Sequence, residues 1–209
     1  MGNIDAFRID TYSYPDQLFM SNLNAAVKRE YPNFFLFGET WVQGSAVQAW
    51  FPEGKKVGQN FDSKLDGVTD FQLYFAMTKG LTEPFGWEEG LRRIELDLAH
   101  DHLYSKPENL VTFLDNHDLA RIYSLLNKDF EKWKMAHAML LTLRGIPCIY
   151  YGTEILMTGF CGGFTTFSTF SFETIKLIQN RQFVLTIIYV FGSVFAGLSA
   201  VWAILQTSK

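Results

Sequence analysis

Three acidic residues stand where an apolar stretch of the sequence ends. Asp10 closes "NIDAFRID", Glu39 follows "NFFLFG", and Asp118 closes "NLVTFLDNHD". A single aspartate in such a place is usually a turn or helix-capping residue, and a single glutamate is usually solvated. Three acids together also fit glycosidic bond cleavage, because carboxyl groups that share a pocket can divide into a protonated acid and an ionised partner. A retaining glycosidase holds such a pair about 5–5.5 Å apart.

The elements that would carry these acids alternate between strand and helix. Short apolar runs predict strands at residues 4–9 and in "NFFLFGE", "GVTDFQ", "NLVTFLDNHD" and "GIPCIYYGTE". Helical spacing predicts helices in "PDQLFMSNLNAAVKREY" and "FEKWKMAHAMLLTLR", with a further helical tract near residues 87–98. Alternating strands and helices indicate an α/β fold with a parallel sheet. Active sites of parallel barrels lie at the carboxyl ends of the strands, where Asp10, Glu39 and the Asn116-His117-Asp118 cluster fall.

Three of these stretches resemble conserved regions of the alpha-amylase family, glycoside hydrolase family 13: "IDAFRID", "LFGETW" and "VTFLDNHD". The surrounding sequence is most similar to neopullulanases and cyclomaltodextrinases, which hydrolyse alpha-1,4-glucosidic bonds. The resemblance implies that Asp10 is the catalytic nucleophile, Glu39 the general acid/base and Asp118 the transition-state stabiliser. It also implies that Arg8 holds the nucleophile ionised and that His117 binds substrate. That substrate would be an alpha-glucan such as a maltooligosaccharide, pullulan or cyclodextrin, and no cofactor is implied.

The resemblance extends to only part of the family's barrel. The five predicted strands match the fourth to eighth strands of a TIM (β/α)8 barrel, so we expect a partial barrel over residues 1–158. Such a sheet leaves the strand at residues 4–9 with an unpaired edge. An incomplete wall misplaces catalytic groups, and a shift of about 1 Å can lower a rate by about 100-fold. We therefore expect little or no hydrolase activity from this chain alone.

Four further side chains have two interpretations each. Tyr12 and Trp41 suit sugar stacking, although ordinary core or rim aromatics are the favoured interpretation. His100 and His102 are spaced like a metal pair, but without further ligands they are expected to be surface or helix-end histidines. The two cysteines of the chain are unpatterned, which favours buried thiols over a disulfide scaffold or a metal knuckle.

The acidic balance of the chain is confined to its first part. The whole chain has a net charge of −4, and its only charged residues after position 170 are Glu173, Lys176, Arg181 and Lys209. The first 170 residues therefore carry a net charge of −6 and offer no basic stripe for nucleic acid. The opening "MGNIDAFRID" has an early acid and no apolar core, so no secretory signal is expected there.

The sequence near the end of the chain indicates a segment that lies in a lipid bilayer. Residues 183–205 form a run of 23 residues without a charge, which is long enough to cross a bilayer as a helix. A buried helix of a soluble protein is the alternative. Lys176 and Arg181 precede the run, and the positive-inside rule would place its start on the cytoplasmic side of the plasma membrane. The hydrolase-like part would then lie in an aqueous compartment, the cytoplasm.

The stretch "GFCGGFTTFSTFSFE" resembles the third-helix break of the CrcB (Fluc) fluoride channel family, and the apolar run after it resembles that family's fourth helix. A Ser/Thr/Phe loop of a soluble protein is the alternative. The resemblance implies a broken helix at residues 159–179, with a structural sodium ion held by the backbone carbonyls of Gly162 and Thr165. It implies a fluoride path lined by Phe167, Phe170, Ser168, Thr169 and Ser171. The family's channels are dimers of four-helix subunits, so half a subunit is not expected to conduct.

Several interpretations cover the whole chain. It is a hydrolase fragment (residues 1–158) joined as a chimera to a fluoride channel fragment (residues 159–209), or a fluoride channel protein with a spurious N-terminal extension. A membrane-anchored alpha-glucan-binding protein is the third. The chimera is favoured because an anchor has no need of "GGFTTFSTF", and because Thr158-Gly159 fits either resemblance with no linker between them.

Overall fold

The chain divides into two compact units, Met1–Thr158 and Gly159–Lys209. A computed structural model describes residues 4–54, 56–58, 61–157, 174, 178, 183–184, 186–187 and 189–192.

Five short parallel strands form the sheet of the first unit: β1 (Ala6–Ile9), β2 (Phe35–Gly38), β3 (Gly67–Val68), β4 (Val111–Phe113) and β5 (Ile146–Cys148). β2 pairs with β1 on one side and with β3 on the other, and β4 pairs with β5. A parallel bridge between Thr69 and Val111 joins the end of β3 to β4. The spatial order is therefore the chain order, as in consecutive strands of a (β/α)8 barrel. The predicted α/β class with a parallel sheet is confirmed.

The two outer strands of this sheet are open to solvent. Phe7 in β1 is 47% exposed and Ile146 in β5 is 40% exposed. All three residues of β5 are exposed, including Cys148. The expectation of a buried thiol is therefore wrong for Cys148, because among the described residues only β4 pairs with β5. The second cysteine, Cys161, lies outside the described residues. The predicted open edge at β1 is confirmed for the part of the chain that the structure describes.

In the described residues of the first unit, six α-helices lie between these strands: α1 (Gln17–Glu30), α2 (Ser45–Gln48), α3 (Phe71–Thr82), α4 (Arg92–Leu98), α5 (Ile122–Leu125) and α6 (Phe130–Thr142). Three 3-10 helices accompany them: Ala99–Leu103, Pro107–Asn109 and Thr153–Ile155. Aspartate side chains cap the three long helices. Asp16 accepts from the Phe19 N–H at 2.8 Å, and Asp70 caps α3 and Asp129 caps α6 in the same way.

Three helices, α2, α3 and α5, were not predicted from the pattern of apolar residues, and α4 is shorter than predicted. The helical tract expected near residues 87–98 begins only at Arg92, because Pro84, Gly86 and Gly90 favour a loop before it. The preceding helix, α3, has buried residues on several sides rather than along one stripe. A helix covered all round lacks the periodic contrast by which a surface helix is recognised.

Apolar side chains form two principal cores on the sheet. One lies beside β1, β2 and β3, and its largest buried side chains are Tyr12, Leu36, Leu65 and Leu110. The other lies among the helices α3 to α6, with Leu73, Met77, Leu114 and Ile122 buried. At Gly67 a Cβ atom would lie 2.1 Å from the carbonyl oxygen of Asn109, so only glycine permits this approach of β3 to the segment before β4.

In the second unit, residues 174, 178, 183–184, 186–187 and 189–192 are helical. Among the residues that the structure describes, no helix combines the length and the apolar composition needed to cross a bilayer. Most of the predicted broken helix at residues 159–179, and more than half of the predicted transmembrane helix at residues 183–205, lie outside the described residues.

Candidate active site

Arg8 joins the first two predicted catalytic carboxylates. Its Nη1 donates to Asp10 Oδ1 at 2.9 Å, and its Nη2 donates to Glu39 Oε1 at 2.6 Å. The two acids differ in their surroundings, since the side chain of Asp10 is 65% exposed and that of Glu39 is 6% exposed. The structure therefore brings Arg8, Asp10 and Glu39 into one group of contacts at the carboxyl ends of β1 and β2.

Backbone pairing beyond the strands fixes the position of Glu39. Its N–H donates to Ile9 O at 2.8 Å, and its carbonyl accepts from the Tyr12 N–H at 2.9 Å. The second carboxylate oxygen, Oε2, accepts from the Thr11 N–H at 3.0 Å. At Gly38, a Cβ atom would lie 2.5 Å from Cγ of Tyr12, so glycine there lets the tyrosine ring pack against β2. Both oxygens of Glu39 are thus occupied by donors from the β1 side.

His117 and Asp118 form a second group beyond β4. Nε2 of His117 lies 3.2 Å from Oδ2 of Asp118, and the two side chains are 26% and 28% exposed. The Asp118 N–H donates to Oδ1 of Asn116 at 2.8 Å, which closes a local turn. The described contacts of these residues are with one another rather than with Arg8, so the five predicted site residues lie in two groups.

A buried aspartate that was not predicted as a site residue, Asp115, directly precedes this second group. Asp115 accepts from the Ile122 N–H at 3.0 Å and from the Thr153 hydroxyl at 2.7 Å, and burial raises the pKa of its carboxyl. Arg121, which is 1% exposed, donates to the Tyr151 carbonyl at 2.8 Å. Asp115 also follows an apolar strand, and that position was the signal that could have identified it.

Charged groups from more than one strand shift the pKa of the Cys148 thiol. Neighbouring protein excludes part of the water around it, which raises the pKa of Cys148; the positive charge of Arg8 opposes this rise and Asp115 adds to it. Arg8 lies on β1, Asp115 follows β4 and Cys148 ends β5. Charged groups of β1 and of the segment after β4 therefore both influence the pKa of a thiol at the end of β5.

A second ionic cluster, also missed from the sequence, lies under the helices that follow β3. Arg144 forms an ion pair with the buried Asp70 and contacts Asp101 through Nη2 at 2.7 Å. Asp97 Oδ2 lies 3.9 Å from the same guanidinium. Burial, reinforced by the charge of Asp70, raises the pKa of Asp97 to about 7, while Arg144 opposes the rise. Asp70 follows the observed β3 but falls inside the longer strand predicted from the sequence, so neither its position after a strand nor its partner was predicted.

The structure also places the four side chains that had two interpretations. Tyr12 is fully buried, its hydroxyl accepts from Asn24 at 3.0 Å, and burial raises the pKa of Tyr12 to about 12, so it is a core residue. Trp41 is 44% exposed and stacks on Phe71 with ring centroids 4.9 Å apart.

The two histidines of the "AHDHLY" stretch turn to different partners. His102 Nδ1 donates to the Ala99 carbonyl at 2.9 Å, and His100 Nδ1 lies 3.4 Å from the Ser45 hydroxyl. Within the described ranges, no group of three or more His, Cys, Asp or Glu side chains could hold a metal ion. The predicted sodium ligands Gly162 and Thr165 lie outside the described residues, as do the predicted fluoride-path residues Phe167, Phe170, Ser168, Thr169 and Ser171.

The fold and the strand-end carboxylates define a class of protein: part of a parallel α/β barrel with carboxylates after its strands. Comparison with known proteins agrees. A crystal structure of alpha-amylase from Geobacillus thermoleovorans in complex with acarbose superposes with a TM-score of 0.63 and 30% sequence identity, covering 74% of this chain and 33% of that one. The first part of the chain therefore has the fold of part of a TIM barrel, similar to that of this alpha-amylase.

Two curated relatives give the same result from sequence. The cyclomaltodextrinase of Geobacillus thermopakistaniensis is 31% identical over 75% of this chain, and the beta/alpha-amylase of Paenibacillus polymyxa is 29% identical over 77% of it. The chain spans 25% of the first relative and 12% of the second. The resemblance to glycoside hydrolase family 13 is confirmed at that level.

A family model described as "CrcB-like protein, Camphor Resistance (CrcB)" matches residues 102–205. The match confirms the second resemblance. It overlaps the elements from β4 to β5, which the structure shows as part of the parallel sheet. The chain thus resembles two families, and the position of the boundary between them stays a prediction.

Proposed function

We propose that residues 1–158 are an alpha-glucan-binding part of an alpha-amylase-family glycoside hydrolase. Asp10 is the nucleophile, Glu39 the general acid/base and Asp118 the transition-state stabiliser of retaining hydrolysis. The observation that carries this proposal is the single guanidinium of Arg8, which contacts both Asp10 and Glu39 at adjacent strand ends. A retaining mechanism needs two neighbouring carboxyl groups with different surroundings, and these two are exposed and buried respectively.

The roles follow from what each residue can reach. Asp10 is exposed and held by one charged donor, so its free oxygen can approach the anomeric carbon of a bound sugar. Arg8 orients this carboxylate and balances its charge. Glu39 must offer a proton to the leaving oxygen, yet both of its oxygens face donors, Arg8 and the Thr11 N–H. One of these contacts has to break before Glu39 can act as an acid.

We further propose that this 209-residue chain binds alpha-glucans but hydrolyses them little or not at all. Its described sheet has open edges at β1 and β5, so the strand ends that face a substrate come from five strands rather than from a closed barrel. His117 and Asp118 share no described contact with the Arg8 group. Because catalysis depends on sub-ångström placement of all three acids, this arrangement supports binding better than turnover.

Reducing-end release from pullulan, maltoheptaose and β-cyclodextrin tests this proposal. The full chain is expected to release no more than Asp10→Asn, while both retain amylopectin binding in affinity electrophoresis. Asp10→Asn is the matched control because the exposed Asp10 can lose its charge without disturbing the core. Hydrolysis that disappears in Asp10→Asn would overturn the proposed inactivity, and failure to bind any glucan would overturn the function itself.

A second candidate function concerns residues 159–209, for which the CrcB family match is the favouring observation. We propose a fluoride channel fragment in the plasma membrane, with sodium held by Gly162 and Thr165 and fluoride passing Phe167 and Phe170. Several described apolar side chains of this part are exposed, as a lipid-facing helix requires: Phe183 59%, Val184 71%, Ile187 59% and Phe191 71%.

Two experiments test the membrane proposal. After expression, the chain is expected to stay in the membrane fraction through carbonate extraction, and a soluble monomer would contradict the bilayer as a partner. Liposomes that contain the chain are expected to show no fluoride efflux, since half a subunit has no complete pore. Sodium-dependent efflux would show instead a working channel and would sink the fragment interpretation.

The chimera itself is a proposal about the gene. Amplification and sequencing of source DNA across the codons for Thr158 and Gly159 is expected to show whether one reading frame joins both parts. A spanning product supports a real fusion, while its absence would point to two separate genes. A membrane-anchored alpha-glucan-binding protein is distinguished by membrane association together with glucan binding.

A further inference from the structure

Two aromatic side chains project from the surface between α3 and α4. Phe85 and Trp87 are each 93% exposed, although aromatic residues of this size usually have much of their surface covered. Gly86 separates them in the chain. The two rings, Gly86 and Arg92 line a surface pocket of about 460 Å³. No other described residue in the chain reaches this degree of exposure with a ring of this size.

The loop that carries the rings is fixed at its base. Arg93 forms an ion pair with Glu83 across the two ends of the loop, and the Arg93 N–H donates to Gly90 O at 3.1 Å. Gly90 has a φ of +62°, and a Cβ atom there would lie 3.3 Å from Cα of Phe85, so the two arms of the loop touch. The rings are thus held outward by a closed loop rather than by an extended, unsupported segment.

The loop lies at the end of α3 that is remote from Asp70 and Arg144. Nζ of Lys132, in the first turn of α6, donates to the Leu81 carbonyl just before the loop at 2.8 Å. The residues that line the pocket include none of the three candidate catalytic acids. A ligand on the two rings would therefore be bound by a separate set of side chains.

The charges around the rings restrict the class of ligand. The loop and the start of α4 contain the acids Glu83, Glu88, Glu89 and Glu95, and the bases Arg92 and Arg93. Arg92 is already paired with Glu95, and Arg93 with Glu83. An anionic polymer or an anionic bilayer would meet uncompensated carboxylates, whereas a neutral polyol meets acceptors and donors for its hydroxyls.

We propose that Phe85 and Trp87 form a surface binding site for a neutral alpha-glucan chain. The apolar C–H face of a pyranose ring packs on each aromatic face, and the hydroxyl edges hydrogen-bond to the flanking carboxylates and to Arg92. This inference rests on the proposed function, since it takes the same polymer as ligand. It adds a second point of attachment, which strengthens the binding of a long chain more than that of a short oligosaccharide.

Affinity electrophoresis of the full 209-residue chain in gels that contain amylopectin tests the site. Phe85→Ala and Trp87→Ala are each expected to weaken retardation by about tenfold, and Trp87→Phe is expected to restore most of it because a ring remains. Tyr31→Ala is the matched control, since it removes a ring that is 59% exposed elsewhere on the surface. Thermal melts followed by circular dichroism check that each variant folds, which the exposure of both rings favours.

The outcomes separate this inference from the proposed function. If the ring variants bind amylopectin as tightly as wild type while Asp10→Asn/Glu39→Gln loses binding, the surface site is wrong and the proposed function stands. If wild type itself is not retarded, both are wrong. If Phe85→Ala/Trp87→Ala instead abolishes a dimer seen by light scattering and leaves retardation unchanged, the loop joins copies of the chain and the glucan site is refuted.

Discussion

At the scale of single residues, Arg8 determines how the candidate site is assembled. It is the only described side chain that contacts both Asp10 and Glu39. The shorter of its two contacts is with the buried glutamate. A buried carboxylate without its charged partner destabilises a fold, whereas an exposed one does not. The two contacts of one guanidinium should therefore differ in their effect on stability.

Arg8→Met is expected to lower the free energy of unfolding by about 1–3 kcal/mol, because Glu39 is then buried with only the Thr11 N–H as donor. Asp10→Asn should change it by less than about 0.5 kcal/mol, since that side chain is 65% exposed. Urea unfolding at neutral pH measures both. In the Glu39→Gln background the effect of Arg8→Met should shrink; an unchanged effect would show that Glu39 is not the partner that matters.

The carboxylate of Asp97 gives the stability of the chain a specific dependence on pH. It faces Asp70 from the start of α3, Asp101 from the 3-10 helix Ala99–Leu103, and Arg144 from the segment before β5. Its folded-state pKa is about 7, above the 3.8 of an ordinary aspartate. Between these two pH values the folded protein therefore binds one proton more than the unfolded chain. The stability that this proton adds is complete below the lower pKa and is lost as pH rises through the upper one.

The free energy of unfolding is accordingly expected to fall as pH rises from about 5 to 7, with a slope of up to about 1.4 kcal/mol per pH unit from this group. Asp97→Asn, which keeps the shape and cannot ionise, should flatten the profile across that window. Asp16→Asn, at the exposed cap of α1, is the control. A profile that Asp97→Asn leaves unchanged would contradict the assignment.

Residue types and spacing identified the three strand-end acids because each follows a run of apolar residues along the chain. They could not identify the cluster around Arg144, whose partner Asp70 is 74 positions away in the sequence. Nor could they show that both oxygens of Glu39 are occupied. These contacts join residues that are far apart in the chain, so the local sequence around each residue does not predict them.

At the scale of elements, close approach of β3 and the segment before β4 holds the two halves of the sheet together. The two-residue β3 and the single bridge from Thr69 to Val111 make this the narrowest connection in the described sheet. Gly67 lies at that connection. The apolar strands were predictable because their runs are short and continuous, whereas α3 was not, since burial on several sides removes helical periodicity.

Gly67→Ala is expected to destabilise the first unit by about 2–4 kcal/mol, because the added Cβ would lie 2.1 Å from the rigid Asn109 carbonyl. Gly192→Ala is the control, since nothing lies within 4 Å of the Cβ that it would add. Denaturant unfolding followed by tryptophan fluorescence compares the two. A loss below about 0.5 kcal/mol for Gly67→Ala would show that the strands can part without penalty.

At the scale of the whole molecule, two family resemblances meet in one chain. The barrel-like part carries its three strand-end acids on a sheet whose outer strands are open, and the part that resembles the CrcB family begins within or after it. Open edges and exposed apolar side chains such as Phe7 and Leu18 favour association of copies. An open sheet of this kind is the basis of our proposal that the chain turns over little glucan.

Proton NMR of maltoheptaose mixed with the full chain tests this account most directly, since one sample reports both binding and hydrolysis. We predict saturation transfer from protein to glucan, with no growth of new reducing-end anomeric signals over hours, and the same spectra for Asp10→Asn. New α-anomeric signals that grow with wild type and vanish with Asp10→Asn, or the absence of any saturation transfer, would contradict it.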